Sequence, residues 1–392
     1  MKYLKDLNLG GKHILVRADL NISTNNSLQP GDEVRLKQLA PTLKAIVEAG
    51  GKPIIMGHCA PPSGKVNPEN SLRPCVKRLA ELTKIDVQFA PDCVGPIVTE
   101  MVKNLEPGRA ILLENLRFHP GEESNDPQFA QALATLGQVY VNDAFSASHL
   151  RHASIVGLPA YCKEKCAGLL VQAEMAAYEK TLLKPKKPLC VVMGGAKVST
   201  KFLILNNIAA LADKLIIGGA MANTFLAAQG IQMGRSLYEK ELIPKVLELF
   251  AVLARRGVQL YLPVDAMVGP SSAAKGLGRA VPVQELPADM MALDIGPATS
   301  LLFREAIQNA ETVIWSGPMG AFENEEYAKG TTDMIETLAS AHAVTLVGGG
   351  ETNSAIQQMQ LGHKFSHLSV GGRSFLQLME GKSLPGLVML DK

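Results

Sequence analysis

At 392 residues the chain is too long for one compact core, and about two domains are expected. Apolar residues make up 47% and charged residues 19%, which describes a globular protein and excludes extended disorder. Lys and Arg total 39 against 37 Asp and Glu, a formal charge of only +2, and aromatic residues are 5% with a single Trp, so a nucleic-acid sleeve, a membrane-surface protein and an array of base-stacking platforms are all disfavoured, though a local basic patch remains compatible.

The N-terminus carries Lys2, Lys5 and Asp6 with no apolar run behind them, so no secretory signal is expected. The first half then offers short Val/Ile/Leu-rich runs at His13–Asn21, Pro53–His58, Asp86–Pro91, Ala110–Phe118 and Val139–Phe145. Such continuous runs, without alternation, fit parallel strands buried on both faces. Helical periodicity lies between them, as in Leu36–Glu48 and Leu72–Leu82. A long helical stretch, Leu169–Leu183, has no β-run near it and is followed by Lys184-Pro185-Lys186-Lys187-Pro188, which reads as a domain boundary. The second half repeats the alternation with strand candidates Leu189–Gly195, Lys214–Ala220, Gln259–Asp265, Thr312–Pro318 and Val344–Gly350, and helices Lys240–Arg256 and Ser300–Asn309. The most apolar stretch, Leu215 to Ala228, is broken by glycines, Asn223 and Thr224 and is too short to span a bilayer. The fold class expected is α/β: two doubly wound, Rossmann-like parallel-sheet lobes joined by a helix hinge. The six cysteines follow no regular framework and fit reduced thiols in a cytoplasmic enzyme. His149, His152, Cys162 and Cys166 only loosely resemble a zinc pattern, with Cys-x-x-x-Cys expected inside an apolar helix, and are discounted.

In open α/β sheets ligands bind beyond the carboxyl ends of the strands. Those ends differ between the halves. The first gives Arg17-Ala18-Asp19-Leu20-Asn21, Gly57-His58, Glu114-Asn115-Leu116-Arg117 and Asn142-Asp143-Ala144-Phe145, which are polar and cationic. The second gives Gly194-Gly195-Ala196-Lys197, Gly218-Gly219, Trp315-Ser316-Gly317-Pro318 and Gly348-Gly349-Gly350-Glu351-Thr352. Glycines at strand ends let backbone amides approach a phosphate, with a helix N-terminus behind them; equally, each pair is compatible with a plain tight turn. No Walker A loop is present, because Gly381-Lys382-Ser383 lacks the upstream glycine, and no complete G-x-G-x-x-G follows a strand. In the first half Arg35, His58, Arg117 and Arg151 are candidates to hold an anionic small molecule, against the alternative of ordinary surface ion pairs. Asp19 and Asn21 fit either a site or a turn.

These segments carry a resemblance. Val16–Asn21, Leu113-Glu114-Asn115-Leu116-Arg117-Phe118, Val141–Phe145, Gly194–Lys201, Gly317-Pro318-Met319-Gly320-Ala321-Phe322-Glu323, Gly348–Thr352 and Glu380–Gly386 resemble, in order and spacing, the phosphoglycerate kinase family from end to end. The resemblance implies a 3-phosphoglycerate domain over 1–168, a connecting helix and linker over 169–188, a nucleotide domain over 189–370, and a tail over 371–392 returning to the first domain. It implies that Asp19, Asn21, Arg35, His58 and Arg117 contact the acid, with Arg151 added as a candidate beside them. Gly195, Lys201, Glu323, Gly349, Gly350, Glu351 and Thr352 would meet ATP or ADP. Glu351 would face Mg²⁺, and Lys197 and Arg35 would flank the phosphoryl group in transit. A cytoplasmic monomer of glycolysis and gluconeogenesis, with no nucleic-acid or membrane partner, is expected.

Four departures from the family pattern stand out. Pro61 and Leu150 occupy positions where the family has arginine, Glu351 replaces an aspartate, and Arg373 interrupts a glycine-rich tail loop. They leave open a divergent kinase for a related small acid, or a catalytically weak nucleotide-binding paralogue.

Overall fold

A computed structural model describes residues 1–21, 30–59, 64–276 and 278–392. Contacts divide the chain into two units, Met1–Met175 with Ser383–Lys392, and Ala176–Lys382.

The first unit is built on strands β1 (His13–Ala18), β2 (Lys52–Met56), β3 (Asp86–Phe89), β4 (Arg109–Leu112), β5 (Val139–Asp143) and β6 (Glu164–Ala167). They form one parallel sheet in the order β3-β4-β2-β1-β5-β6. Ile14, Val16, Ile55, Ala110, Leu112 and Val141 from these strands are buried in one core with Leu36, Leu39 and Leu43 of the helix Pro30–Glu48, so the unbroken apolar runs do mark strands covered on both faces. The chain winds one way from β1 through β2 and the other way through β5, which places the crevice of the sheet at the carboxyl ends of β1 and β5. The C-terminal segment belongs here: the amide of Gly386 donates to the carbonyl of Ser148, and the terminal amine of Met1 pairs with Asp391.

The second unit repeats the plan with β7 (Leu189–Met193), β8 (Lys214–Ile217), β9 (Gln259–Tyr261), β13 (Thr312–Ser316), β14 (Val344–Gly348) and β15 (His367–Ser369) in the order β15-β14-β13-β7-β8-β9, all parallel. Its reversal lies between β7 and β13. Between β9 and β13 the chain adds an antiparallel sheet of β10 (Asp265–Gly269), β11 (Arg279–Pro282) and β12 (Met291–Ile295) in the order β11-β10-β12.

The expectation of paired α/β sheets agrees with this architecture, and several details differ. The run Gln259–Asp265 divides into β9 and the start of β10, because the chain leaves one sheet for another there. Strand β6 immediately precedes the helix Leu169–Tyr178; Glu164 and Lys165 gave it a polar start that hid it, and it puts Cys166 on a strand instead of in a helix. Residues 371–382, expected with the returning tail, pack within the second unit: Asn207 Nδ2 donates to the Met379 carbonyl at 2.7 Å. No helix among the described residues is long and apolar enough to cross a membrane.

Candidate active site

In the first unit the side chains at the strand ends converge. Asp19, just past β1, accepts from the Asn21 amide at 3.2 Å and from Ser146 Oγ at 2.6 Å, and its Oδ2 lies 3.5 Å from Arg35 Nε. Arg35 Nη1 also donates to the Asn21 carbonyl at 2.6 Å. The turn reading of Asp19 and the site reading therefore describe one arrangement, in which an Asx-type turn sets the place of Arg35.

His58, past β2, is buried, and its Nδ1 stands 2.6 Å from Nη2 of the fully buried Arg17. Burial drives the His58 pKa well below the usual imidazole range, and the charges of Arg17, Arg117, His152 and Arg35 add to the effect. Arginine only donates, so Nδ1 accepts and the neutral ring carries its proton on Nε2. Asn115 clamps the next residue, accepting from the Cys59 amide at 3.2 Å and donating to the Cys59 carbonyl at 2.9 Å, while its Oδ1 also receives the Arg117 amide at 3.1 Å. One buried amide thus holds the segments bearing His58 and Arg117 in register. Arg151 is exposed and makes none of these contacts; Leu150 packs against the small cluster of Ala144, Ala147 and Ile155, which holds its backbone in place. The structure does not bring Arg151 into the cationic group.

Sequence reasoning missed what supports this group. Arg17 Nε donates to Ser154 Oγ at 2.8 Å, and Ser154 Oγ donates to the buried carboxylate of Glu122 at 2.6 Å. Glu122 supplies a counter-charge for a guanidinium that would otherwise be buried unpaired. The signal was weak: Glu122 sits in a polar run, Gly121-Glu122-Glu123-Ser124-Asn125-Asp126, that reads as surface.

In the second unit the glycines at the strand ends do two jobs. A Cβ at Gly194 would stand 2.2 Å from the Pro318 carbonyl, and one at Gly219, where φ is +63°, would stand 2.6 Å from the Gly195 amide. These glycines let the ends of β7, β8 and β13 touch backbone to backbone. Gly350, by contrast, faces open space at the start of the helix Gly350–Gln358, where unpaired amides favour an anion. Thr352 is buried, and its Oγ1 receives the Gly317 amide at 3.0 Å, tying this helix to the turn after β13. Lys201 donates to the carbonyls of Gly194 and Ser316, both at 2.8 Å. Burial lowers its pKa to about 8, with Glu351 opposing the shift. Lys197 and Glu323 are exposed.

Gly195, Gly219, Pro318, Met319, Glu323 and Glu351 border a cavity of about 270 Å³. Its wall includes Asp294, a buried carboxyl that accepts from the amides of Ile295 and Gly330 and whose pKa burial raises to about 7. Glu351 is the exposed carboxylate beside the glycine turn. A carboxylate next to a phosphate cradle fits Mg²⁺, which keeps water ligands and takes its remaining oxygens from phosphates.

The family model for phosphoglycerate kinase matches residues 4–382. The chain belongs to the phosphoglycerate kinase family. It is 45% identical over 391 residues to the phosphoglycerate kinase of Desulfotalea psychrophila, covering 100% of each chain. It is 44% identical to that of Desulfosudis oleivorans, covering 100% of this chain and 99% of the relative. Among solved structures, phosphoglycerate kinase from Coxiella burnetii superposes with a TM-score of 0.90 at 36% identity, covering 100% of this chain and 98% of that one.

Of the departures from the family pattern, Pro61 lies outside the described residues. Leu150 is accounted for by its apolar contacts. Glu351 keeps its carboxylate at the helix start. Arg373 is exposed and opens the helix Arg373–Met379, after Gly372 at φ +49°.

Proposed function

We propose that this phosphoglycerate kinase family member transfers a phosphoryl group reversibly between ATP and the carboxylate of 3-phosphoglycerate, with the acid on the first unit and the nucleotide on the second. The observation that carries the assignment of sites is the contrast between the strand ends. Arg17, Arg35, Arg117 and a neutral His58 gather at one sheet, and at the reversal of the other lie a glycine-bordered cavity and, on the Gly194 carbonyl next to it, Lys201.

The acceptor carboxylate is already ionised near neutral pH, so no general base is required. That agrees with the inventory: His58 is held neutral with Nδ1 occupied, leaving its Nε2–H as a donor toward the acid. Asp19 and Asn21 shape the turn that sets Arg35, and Arg35 and Arg117 meet the anionic groups of the acid. On the other side the open amides at Gly349 and Gly350 with Thr352 receive phosphates, Lys201 pairs with them, and Glu323 meets the ribose. Phosphoryl transfer demands in-line alignment and compensation of charge on the equatorial oxygens, which falls to Lys197 and Arg35. Glu351 would hold Mg²⁺ against the phosphates, and the ion neutralises their charge when bound.

The enzyme acts as a cytoplasmic monomer in this reading. None of the six cysteines, all of them buried, is in a disulfide, as a reducing compartment allows. A coupled assay with ATP, Mg²⁺ and 3-phosphoglycerate tests the activity, and single substitutions at His58 and Lys201 test the division of ligands between the units.

A further inference from the structure

We propose that Asp92, Cys93 and His119 form a binding site for a borderline-soft divalent cation, with zinc the best match. None of the three belongs to the acid or nucleotide sites. Asp92 and Cys93 follow β3, and His119 follows the helical turn Leu116–Phe118 that β4 leads into. Because β3 and β4 are parallel neighbours, both loops leave the same end of the sheet.

One oxygen of Asp92, the sulfur of Cys93 and a ring nitrogen of His119 all lie within 4.8 Å of one another. His119 Nε2 is 2.6 Å from Asp92 Oδ1. Cys93 Sγ points to the Glu114 carbonyl at 3.0 Å, and its amide donates to Asp92 Oδ1 at 2.6 Å. The histidine ring does not swing freely: it stacks on Phe129 with centroids 4.7 Å apart and planes 21° from parallel. Mixed carboxylate, thiolate and imidazole ligation is the donor set that zinc accepts, at metal–ligand distances of about 2.0–2.3 Å, with water completing a tetrahedron. Closing the set onto an ion requires the Nε2–Oδ1 contact to open to roughly 3.3 Å, the separation of two ligands in a tetrahedron, and the sulfur to draw in beside them.

The surroundings give a cation a way in and a reason to stay. Asp92 is exposed and His119 is partly exposed, whereas Cys93 is buried beneath them. Without a cation the buried thiol stays protonated and unreactive. On binding, the thiol proton leaves to solvent, and His119 ligates through a bare Nε2 with its own proton on Nδ1. The competing account is a bare His119–Asp92 contact with the Cys93 thiol merely donating to the Glu114 carbonyl, and it predicts no metal bound through sulfur. An ion here would also tie the end of β3 to the segment 114–119, which carries Arg117.

The test uses the full chain freed of metal by a chelator and titrated with Co²⁺ as a spectroscopic probe. One equivalent is expected to bind with the near-ultraviolet absorption of thiolate-to-cobalt charge transfer, and Zn²⁺ should displace it. Cobalt held by Glu351 gives no such band, since no sulfur is present there. Cys93→Ser should abolish the band, and His119→Gln, at a partly exposed position that spares the fold, should weaken Co²⁺ binding by about tenfold or more. No charge-transfer band at stoichiometric cobalt, a band that survives Cys93→Ser, or unchanged affinity in His119→Gln would each overturn the proposal.

Discussion

Nη2 of Arg17 lies 2.6 Å from Nδ1 of His58, and both side chains are buried. A guanidinium can only donate, so this contact selects the neutral Nε2–H form of the imidazole. The arginine is in turn anchored through Ser154 to Glu122. A buried charge therefore serves to fix the tautomer of a neutral donor.

His58→Ala removes that donor. A hydrogen bond to a charged partner contributes about 1.5–3 kcal/mol, so the KM for 3-phosphoglycerate should rise roughly ten- to a hundredfold. The KM for ATP should change by less than about twofold, since His58 lies in the other unit. Steady-state kinetics with each substrate varied in turn measures both. Equal losses for the two substrates would show that His58 acts through the fold.

Burial lowers the pKa of His152 to about 4, with Arg117 and Arg17 reinforcing the shift. The unfolded histidine takes up its proton near pH 6.5, and the native one does not until about pH 4. In that window the unfolded state binds more protons, so the contribution of His152 to stability falls as the pH drops from about 6.5 to 4. Asp143 acts oppositely: burial raises its pKa to about 7, so its contribution declines as the pH rises toward that value. The difference between native protein and His152→Gln isolates the first effect. Urea unfolding across this range should show the native protein losing its advantage over the variant on acidification, and a pH-independent difference would exclude the burial argument.

The sheets were legible in the sequence because central parallel strands are apolar on both faces, as in Val139–Asp143 and Thr312–Ser316, and the glycine clusters were legible because they directly follow those runs. Of the edge strands, β3 and β9 lie within the expected runs, whereas β6, which begins Glu164-Lys165, and β15, only His367–Ser369, were hidden by their polarity and shortness. The antiparallel sheet β10–β12 was missed because β11, Arg279–Pro282, is mostly exposed and gives no apolar signal. Asp19, His58, Arg117 and Lys201 could be found by their place at strand ends. Arg17 and Asn115 stand in the same strand-end segments and Glu122 in a polar run, but their roles could not be read there, because those come from burial and from partners far away in the chain. Arg151 shows the converse, since adjacency to Leu150 in sequence does not bring it into the cluster.

Lys201 has its pKa lowered to about 8 by burial, and only its ammonium form pairs with phosphate. ADP affinity should be level near pH 7 and fall as the pH rises above about 8, by at most tenfold per pH unit. Lys201→Met should bind ADP more weakly and without that fall. Calorimetry at several pH values reads both, and a matching pH profile in the variant would assign the effect to another group.

Glu351→Gln keeps the size of the side chain and removes its charge. The Mg²⁺ concentration for half-maximal turnover should rise about tenfold, the effect of losing one charged ligand, while ADP affinity measured in the presence of a chelator should be unchanged. Unaltered Mg²⁺ dependence would place the metal-facing carboxylate elsewhere.

Formation of an acyl phosphate is the most direct test of the reaction itself. The purified chain, given ATP, Mg²⁺ and 3-phosphoglycerate, should generate a product that hydroxylamine traps as the hydroxamate, with ADP released in equal amount. Omission of the acid or chelation of the metal should abolish both. A folded chain that binds ADP yet forms no hydroxamate would contradict assignment of the cationic strand ends to 3-phosphoglycerate and of the glycine-bordered cavity to a productive nucleotide.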